Sequence, residues 1–177
     1  MATFAFRPSI EYLKRTAEAG QLLTAGDSTA MHKPGTYFYD DANDKGYVYV
    51  YAESALTSQT ATYVIESGDS AVGHWSAIAI ADTQYHGYVG APATSVTTLK
   101  YGWVQVQGPV TAMAGLVSEA RTAKGQMDHT GGTLAYLASN AKGQTLPSVF
   151  GTVRVANTAA ATTGNIYLHG NRILPHT

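Results

Sequence analysis

The stretch Tyr101-Gly102-Trp103-Val104-Gln105-Val106-Gln107-Gly108-Pro109-Val110 decides the fold that we expect for this chain. Val104 and Val106 fall on one side of an extended backbone, and the aromatic and glutamine side chains fall on the other. Successive side chains of a strand point to opposite faces, so this alternation predicts a half-buried β-strand. Proline has no N–H to donate and fixes its own φ, so we expect Gly108-Pro109 to interrupt the strand.

Segments with the same alternation lie on both sides of this strand. Tyrosine and valine alternate over residues 47–51, and the extended run 36–39 precedes them across a polar turn that ends at Gly46. Two extended runs around an Asn/Asp/Gly turn predict a β-hairpin. A loop is expected at 87–98 and one helical turn at 118–121. Further short strands are expected at residues 60–66, 75–81, 109–117, 133–137, 149–155 and 165–169.

Many short strands separated by turns predict an all-β fold rather than βαβ units. We expect a small β-barrel or a jelly-roll-like sandwich of short antiparallel strands, formed as one domain by residues 36–177. Residues 1–35 are interpreted as an N-terminal arm or edge segment. Within this arm, residues 9–20 can form a short helix with Ser9 as its N-cap and Gly20 at its C-terminal end. A helix this short is marginal in water and needs a surface to pack on.

The composition is typical of a turn-rich β protein. Charged residues make up 13% of the chain, against roughly 25% in an average soluble protein. The chain has twelve tyrosines but two tryptophans, and tyrosine suits interfaces because it combines a large apolar ring with a polar tip. There is no cysteine, so disulfides are excluded and stability must come from packing or assembly.

Neither the charge nor the hydropathy indicates nucleic acid or membrane as a partner. The net charge of −1 gives no global attraction to either surface. Between Lys45 and Lys100 the charged side chains are all acidic, and basic residues predominate afterwards. This is either ordinary surface variation or an acidic face that meets a basic one in an oligomer. No apolar run approaches the ~20 residues that span a bilayer. The start of the chain lacks the pattern of a secretion signal, so we expect a cytoplasmic protein or one that follows its assembly.

The polar turn that ends at Gly46 matches a calcium-binding loop poorly. With Asp41 at the first position, Asn43 and Gly46 fit the third and sixth positions of such a loop. Lys45 then falls on a ligand position, where its charge would repel the cation. We therefore interpret the segment as a hairpin turn with solvated carboxylates and predict no metal site.

Patterns that indicate catalysis are missing from the sequence. The six histidines are scattered, and none forms a His-x-x-x-His pair that would place two ligands on one face. No Gly-x-Ser-x-Gly elbow, phosphate-binding loop or Gly-x-Gly-x-x-Gly motif occurs. We therefore expect a protein that is not an enzyme and that uses no cofactor.

The aromatic residues of the two clearest strands have two interpretations. Trp103 with Tyr101, or the stripe of Tyr47, Tyr49 and Tyr51, could stack on a sugar. Aromatic rows at period two are more often a sheet face that packs on its neighbour or on another subunit. We favour the packed face, either as core or as subunit interface.

Five segments together carry a resemblance to a known family: Gly46-Tyr47-Val48-Tyr49-Val50, Ala77-Ile78-Ala79-Ile80-Ala81, the stretch from Tyr101 to Pro109, Leu116-Val117-Ser118-Glu119-Ala120, and Gly151-Thr152-Val153-Arg154-Val155. With these segments, the chain from about Gly46 onward resembles the capsid decoration or cement proteins of tailed bacteriophages. The arm 1–35 fits this pattern less well.

The resemblance implies a virion structural protein, β-barrel-like and trimeric, on the capsid exterior where coat subunits meet. It would be assembled in the host cytoplasm, and its partners would be the major capsid protein and further copies of itself, with no nucleic acid or membrane. Many copies around each symmetry axis make weak contacts strong through avidity, and an arm that orders against a neighbour commonly forms such contacts. The residues expected at these interfaces are Phe4, Phe6, Arg7, Tyr12, Leu13, Tyr47, Tyr49, Tyr51 and Trp103.

Two alternatives stay open beside a decoration protein. The first is another virion component, a head-fibre base or tail protein, with carbohydrate-binding loops. The second is a small β-barrel enzyme or ligand carrier, which requires a polar cluster inside a cavity.

Overall fold

The structure is a computed structural model that describes residues 28–65, 75–79, 87–123, 126–130, 133–136 and 149–170. These residues form strands, turns and bends, with no helix among them. The helix predicted at 9–20 lies outside the described residues, as does the arm up to residue 27.

The described residues contain twelve strands. They are β1 (Tyr37–Asp40), β2 (Lys45–Ala52), β3 (Thr62–Ile65), β4 (Ser76–Ala79), β5 (Gly87–Pro92), β6 (Tyr101–Met113), β7 (Glu119–Arg121), β8 (Gln126–Thr130), β9 (Thr133–Tyr136), β10 (Val149–Val153), β11 (Asn157–Ala161) and β12 (Gly164–His169).

Ten of these strands form one continuous sheet, in the order β1-β2-β4-β3-β5-β6-β12-β10-β8-β9. An additional pairing between β2 and β6 closes β2, β4, β3, β5 and β6 into a five-stranded barrel. The predicted all-β class and small barrel are therefore confirmed. Among the described strands, β2 and β4 pair in parallel and the other strand pairs are antiparallel.

Strand β6 belongs to both halves of the sheet. Its residues Tyr101 to Gln107 pair with β2 of the barrel, and its residues Gln107 to Met113 pair with β12. The expected interruption at Gly108-Pro109 is therefore wrong, because both residues lie inside the strand, opposite Leu168 and Tyr167. The dipeptide marks the place where β6 changes its partner rather than the place where it ends.

A bulge and a glycine make this change of partner possible. The register between β2 and β6 shifts between Gln105 and Gln107, and such a bulge bends and twists the strand. Directly after it, Gly108 has φ +91°, and a Cβ at this residue would overlap the carbonyl oxygen of Asp44. Only glycine fits this backbone conformation and this close approach.

The predicted hairpin is formed by β1 and β2, which pair with Asp40 opposite Lys45 and Tyr37 opposite Val48. The loop expected at 87–98 is wrong over its first half, which forms β5 in the barrel. Glycine and proline are typical of turns, which is why a loop was predicted there. In the barrel, Gly90 leaves room for its neighbour, since a Cβ at this residue would lie 2.6 Å from Val104 Cγ1. The helical turn expected at 118–121 is also wrong, because β7 lies there and pairs with β11. Strands β8 and β11 were not predicted.

Three clusters of buried side chains follow from the alternation along the strands. The inward side chains of β2 and β6 fill the barrel, and an aromatic cluster covers the outer face of the same strands. Val104 and Val106 lie on one side of β6, as predicted, and the structure identifies that side as the barrel interior. A second apolar core lies between the outer side of β3 and β5 and the sheet beyond β6. Its members are Ala61, Tyr63, Val89, Ala91, Val110, Met113, Leu116, Met127, Leu134, Phe150, Val153, Ile166 and Leu168.

We expect Gly108→Ala to destabilise the protein by about 3 kcal/mol or more, because it adds a Cβ in a left-handed conformation and against backbone. Urea unfolding followed by tryptophan fluorescence measures this. Gly164→Ala is the control, since its added Cβ meets the end of the Leu116 side chain at 3.2 Å and should cost about 1 kcal/mol or less. Equal costs for the two variants would contradict the role assigned to Gly108.

Candidate functional site

Six aromatic side chains lie together on the outer side of the barrel, on β1, β2 and β6. We call them the aromatic face: Phe38, Tyr47, Tyr49, Tyr51, Tyr101 and Trp103. The strand register brings them together, because Tyr49 lies opposite Trp103, Tyr51 opposite Tyr101, and Phe38 opposite Tyr47. Directly opposed aromatic pairs of this kind stabilise antiparallel sheets.

Tyr49 is the centre of the aromatic face. Its ring centroid lies 5.1 Å from that of Trp103, and it stacks on Tyr101 at 6.0 Å with an interplanar angle of 9°. Phe38 meets Trp103 edge-on at 6.4 Å. Offset and edge-to-face pairs contribute about 0.5–1.5 kcal/mol each beyond burial. The face is therefore a rigid part of the structure.

The last residues of the predicted arm cross the aromatic face at Tyr49. The Met31 N–H donates to the Tyr49 hydroxyl at 3.1 Å, and the His32 ring lies 5.2 Å from Tyr49 and 5.3 Å from Trp103. The Gly35 N–H donates to the carbonyl of Tyr49 at 2.8 Å. The described part of the arm, residues 28–35, is thus joined to the barrel.

The predicted interface residues divide into three groups. Phe4, Phe6, Arg7, Tyr12 and Leu13 lie outside the described residues. Tyr49 and Trp103 lie on the aromatic face but are buried within this chain. Tyr47 and Tyr51 are half-buried, as is Tyr101, which lies opposite Tyr51 on β6. A partner that contacts this face would therefore meet the edges of Tyr47, Tyr51 and Tyr101, and the interface assignment stays a prediction.

The burial of Trp103 bears on the sugar-stacking interpretation. Only 6% of this residue is exposed, since Phe38, Tyr49 and His32 surround its ring. A stacking platform needs an open ring face, so the structure favours the packed sheet face for Trp103. Sequence reasoning missed Phe38 and His32 as members of this cluster. The alternation of residues 36–39 could have assigned Phe38 to the face, whereas no local pattern marks His32.

A polar cluster joins the hairpin of β1 and β2 to strand β12. The Asp44 carboxylate accepts a hydrogen bond from the Tyr39 hydroxyl and another, at 2.6 Å, from the Tyr167 hydroxyl of β12. We call this the tyrosine–aspartate bridge. Asp44 has φ +53°, a left-handed conformation that aspartate tolerates better than most residues. The turn that we predicted as solvated carboxylates thus contains one carboxylate with a structural role.

The bridge shifts the pKa values of its members in opposite directions. The hydrogen bonds from Tyr167 and Tyr39 lower the pKa of Asp44, because they stabilise its charged form. The same hydrogen bond to Asp44 raises the pKa of Tyr39 to about 12. The hydrogen bond to Asp44 also raises the pKa of Tyr167. The bridge therefore requires a charged aspartate and neutral tyrosines.

One hydroxyl–imidazole pair lies near the bridge. Thr152 Oγ1 of β10 and His169 Nε2 of β12 are 2.6 Å apart, and burial lowers the pKa of His169. Seventeen residues separate the two in sequence, so no local motif could reveal them. A nucleophilic site also needs a group that orients the imidazole and donors that stabilise an oxyanion. In the described part of the chain, the hydrogen-bond partner of the His169 imidazole is Thr152.

Within the ranges that the structure describes, no group of three or more His, Asp or Glu side chains could hold a metal ion. The same ranges contain no helix that is long and apolar enough to cross a bilayer.

Comparisons with known proteins add one structural similarity. No family model matches the sequence, and no curated protein matches it. The chain is similar to the N base of the head fibre protein gp8.5 of bacteriophage phi29, with 12% identity and a TM-score of 0.42. The similarity covers 73% of this chain and 98% of that chain. At this score and identity it assigns neither a family nor a function.

We expect the bridge to make stability depend on pH at both extremes. Tyr39 keeps its proton in the folded state up to about pH 12, whereas an unfolded tyrosine loses it near pH 10. The unfolded state therefore binds fewer protons in this interval, and the free energy of unfolding should fall as the pH rises from about 10 to about 12. Tyr39→Phe should flatten this fall in urea titrations.

At acidic pH the dependence has the opposite sign, and we expect the free energy of unfolding to fall as the pH falls. Because the folded pKa of Asp44 is lowered, its stabilisation is complete above its unfolded value and is lost as the pH falls below about 4. Asp44→Asn should remove this loss while keeping a side chain that tolerates φ +53°. Tyr51→Phe, whose hydroxyl lies outside the bridge, is the control. Identical pH profiles for Tyr39→Phe, Asp44→Asn and the wild type would show that the bridge does not stabilise the fold.

Proposed function

We propose that this chain is a non-enzymatic structural protein of a tailed-phage virion that binds the outer surface of the capsid. The observation that carries the proposal is the aromatic face, where the half-buried rings of Tyr47 and Tyr101 pack on the buried cluster of Phe38, Tyr49 and Trp103, and Tyr51 packs on Tyr101. A preorganised aromatic surface with polar tips binds a partner at little cost in conformational entropy.

The interior of the barrel supports a binding role over a ligand carrier. An apolar cluster lies inside it, with Val50, Val64 and Val104 from three different strands. Thr62, on the same face of β3 as Val64, donates its hydroxyl to the Thr60 carbonyl at 3.0 Å. A carrier needs convergent polar groups in a cavity, and the polar clusters of the described residues lie outside this core. The sequence resemblance to capsid decoration proteins points to the same class of function.

Two placements on the capsid follow from the sequence analysis. As a decoration or cement protein, the chain would form trimers that bind the major capsid protein where coat subunits meet and stabilise the shell. As another virion component, a head-fibre base or a tail protein, it would occupy fewer sites and carry further structure, with loops that could bind carbohydrate. A decoration protein or a fibre base would lie on the capsid exterior after assembly in the host cytoplasm, and none of these roles requires nucleic acid or membrane.

The N-terminal segment is the second part of the proposed interface. The described chain begins at residue 28 and reaches the aromatic face at Met31 and His32, and the interface residues predicted for the arm precede residue 28 in the sequence. They include Phe4, Phe6, Arg7, Tyr12 and Leu13. We propose that these side chains and the aromatic face contact the capsid together, so that many weak contacts act through avidity.

Cryo-electron microscopy of purified particles from the phage that encodes this chain tests the proposal directly. Density that fits the barrel and the sheet beyond β6 is expected on the outer capsid surface. A decoration protein would repeat over the whole shell, whereas a fibre base would lie beneath projecting density. Particles that lack this chain altogether would refute both placements.

Tyr51→Lys should weaken binding to expanded capsids by roughly tenfold or more, because it removes an aromatic contact and places a charge on the face. Co-sedimentation of the purified chain with capsids measures this. Val155→Lys is the matched control, since Val155 is 57% exposed and lies between β10 and β11, away from the aromatic face. If both variants coat capsids as the wild type does, or lose binding equally, the aromatic face is not the contact surface.

A further inference from the structure

Two loops of the barrel are copies of one structure. Residues 51–60 run from the end of β2 towards β3. Residues 91–100, forty positions later, run from the end of β5 to β6 with the same succession of strand end, bend, bridge and turn. The loops face each other through a reciprocal pair of hydrogen bonds. The Leu56 N–H donates to the Val96 carbonyl and the Val96 N–H donates to the Leu56 carbonyl, both at 2.9 Å. An approximate two-fold axis therefore passes between these two residues.

The same symmetry relates Gln59 and Leu99. The Gln59 N–H donates to the carbonyl of Pro92 at 3.0 Å, and the Leu99 N–H donates to the carbonyl of Ala52 at 2.8 Å. Both residues have left-handed backbones, with φ +55° and φ +63°. The fold thus imposes the same conformation at both positions, and each residue serves as a control for the other.

The fold does not explain why position 99 is leucine. A left-handed position favours glycine or asparagine, and a branched apolar side chain is strained there. Leu99 is also 63% exposed, so burial of its side chain within this chain offsets little of the backbone strain. Gln59, at the equivalent position, is exposed and polar. A strained residue that exposes a large apolar side chain indicates a function outside the fold of the single chain.

We propose that Leu99 is the apolar centre of a contact between two copies of this chain. The charges beside it favour a second copy as the partner. Lys100 follows Leu99 directly. Glu53 is nearby in space, because it follows Ala52, whose N–H donates to the Lys100 carbonyl at 2.8 Å. A patch with an apolar centre and both signs of charge is complementary to itself, as contacts between identical subunits require.

This contact deepens the proposed function, because it rests on the self-association of the chain and names the surface responsible. It lies on the loops at one end of the barrel, whereas the proposed capsid contact lies on the aromatic face along its side. Leu99 adjoins this face because its N–H donates to the carbonyl of Ala52, next to Tyr51. The two contacts are therefore distinguished by their readouts, which are self-association for Leu99→Asn and capsid co-sedimentation for Tyr51→Lys.

The test compares Leu99→Asn with Gln59→Asn by sedimentation equilibrium over a range of concentrations of the full chain. Asparagine suits the left-handed conformation at both positions, so the thermal unfolding midpoint of each variant should equal or exceed that of the wild type. Leu99→Asn should raise the dissociation constant for self-association by roughly tenfold or more. Gln59→Asn should leave this constant unchanged.

Several results would overturn the proposal. Leu99→Asn could self-associate as the wild type does, Gln59→Asn could weaken association equally, or the wild type could stay monomeric at all concentrations. A lower unfolding midpoint for Leu99→Asn would assign the leucine to the fold instead. Unchanged self-association with lost co-sedimentation on capsids would identify a coat subunit as its partner. Capsid binding by wild-type chain is measured separately, so the proposed function stands or fails on its own result.

Discussion

The backbone ladder of β6 is the constraint on which the rest of the structure depends. This strand hydrogen-bonds to β2 over Tyr101–Gln107 and to β12 over Gln107–Met113, so it closes the barrel and begins the second sheet without a break. Side chains of the same strand enter the barrel interior, the aromatic face and the core between the sheets, as Val104, Trp103 and Val110 show. Barrel and second sheet therefore share one strand and cannot pack independently.

Side-chain contacts reinforce this shared strand where the two parts meet. The tyrosine–aspartate bridge joins the turn of the first hairpin to β12, and the Tyr37 hydroxyl donates to Gln107 Oε1 at 2.9 Å where β6 changes its partner. In a protein with 13% charged residues, hydrogen bonds from tyrosine hydroxyls fill a role that ion pairs fill elsewhere. The result is a stiff support for the aromatic face, which suits a protein proposed to bind one fixed surface.

The sequence predicted local features well and long-range ones poorly. Alternation along 47–51 and 101–106 correctly separated the valine face from the aromatic face, because period two depends on the strand alone. Which of the two faces lines the barrel interior depends on how the sheet closes, and the sequence left that open. The continuation of β6 through Gly108-Pro109 depends on a backbone that approaches from Asp44, which local propensity cannot report. The sequence did not reveal the equivalence of Gln59 and Leu99 for the same reason. It is a repeat of backbone geometry, with different side chains at most of its positions.

Native-state amide hydrogen exchange tests most directly whether β6 makes barrel and second sheet one cooperative unit. The account predicts that the slowest amides of β2, β6 and β12 exchange with one common free energy, equal to that of global unfolding. It also predicts that Val104 and Val110, on the two halves of β6, respond equally to denaturant. Exchange of the β10 and β12 amides through a separate, lower-energy opening, while the barrel amides stay protected, would contradict it.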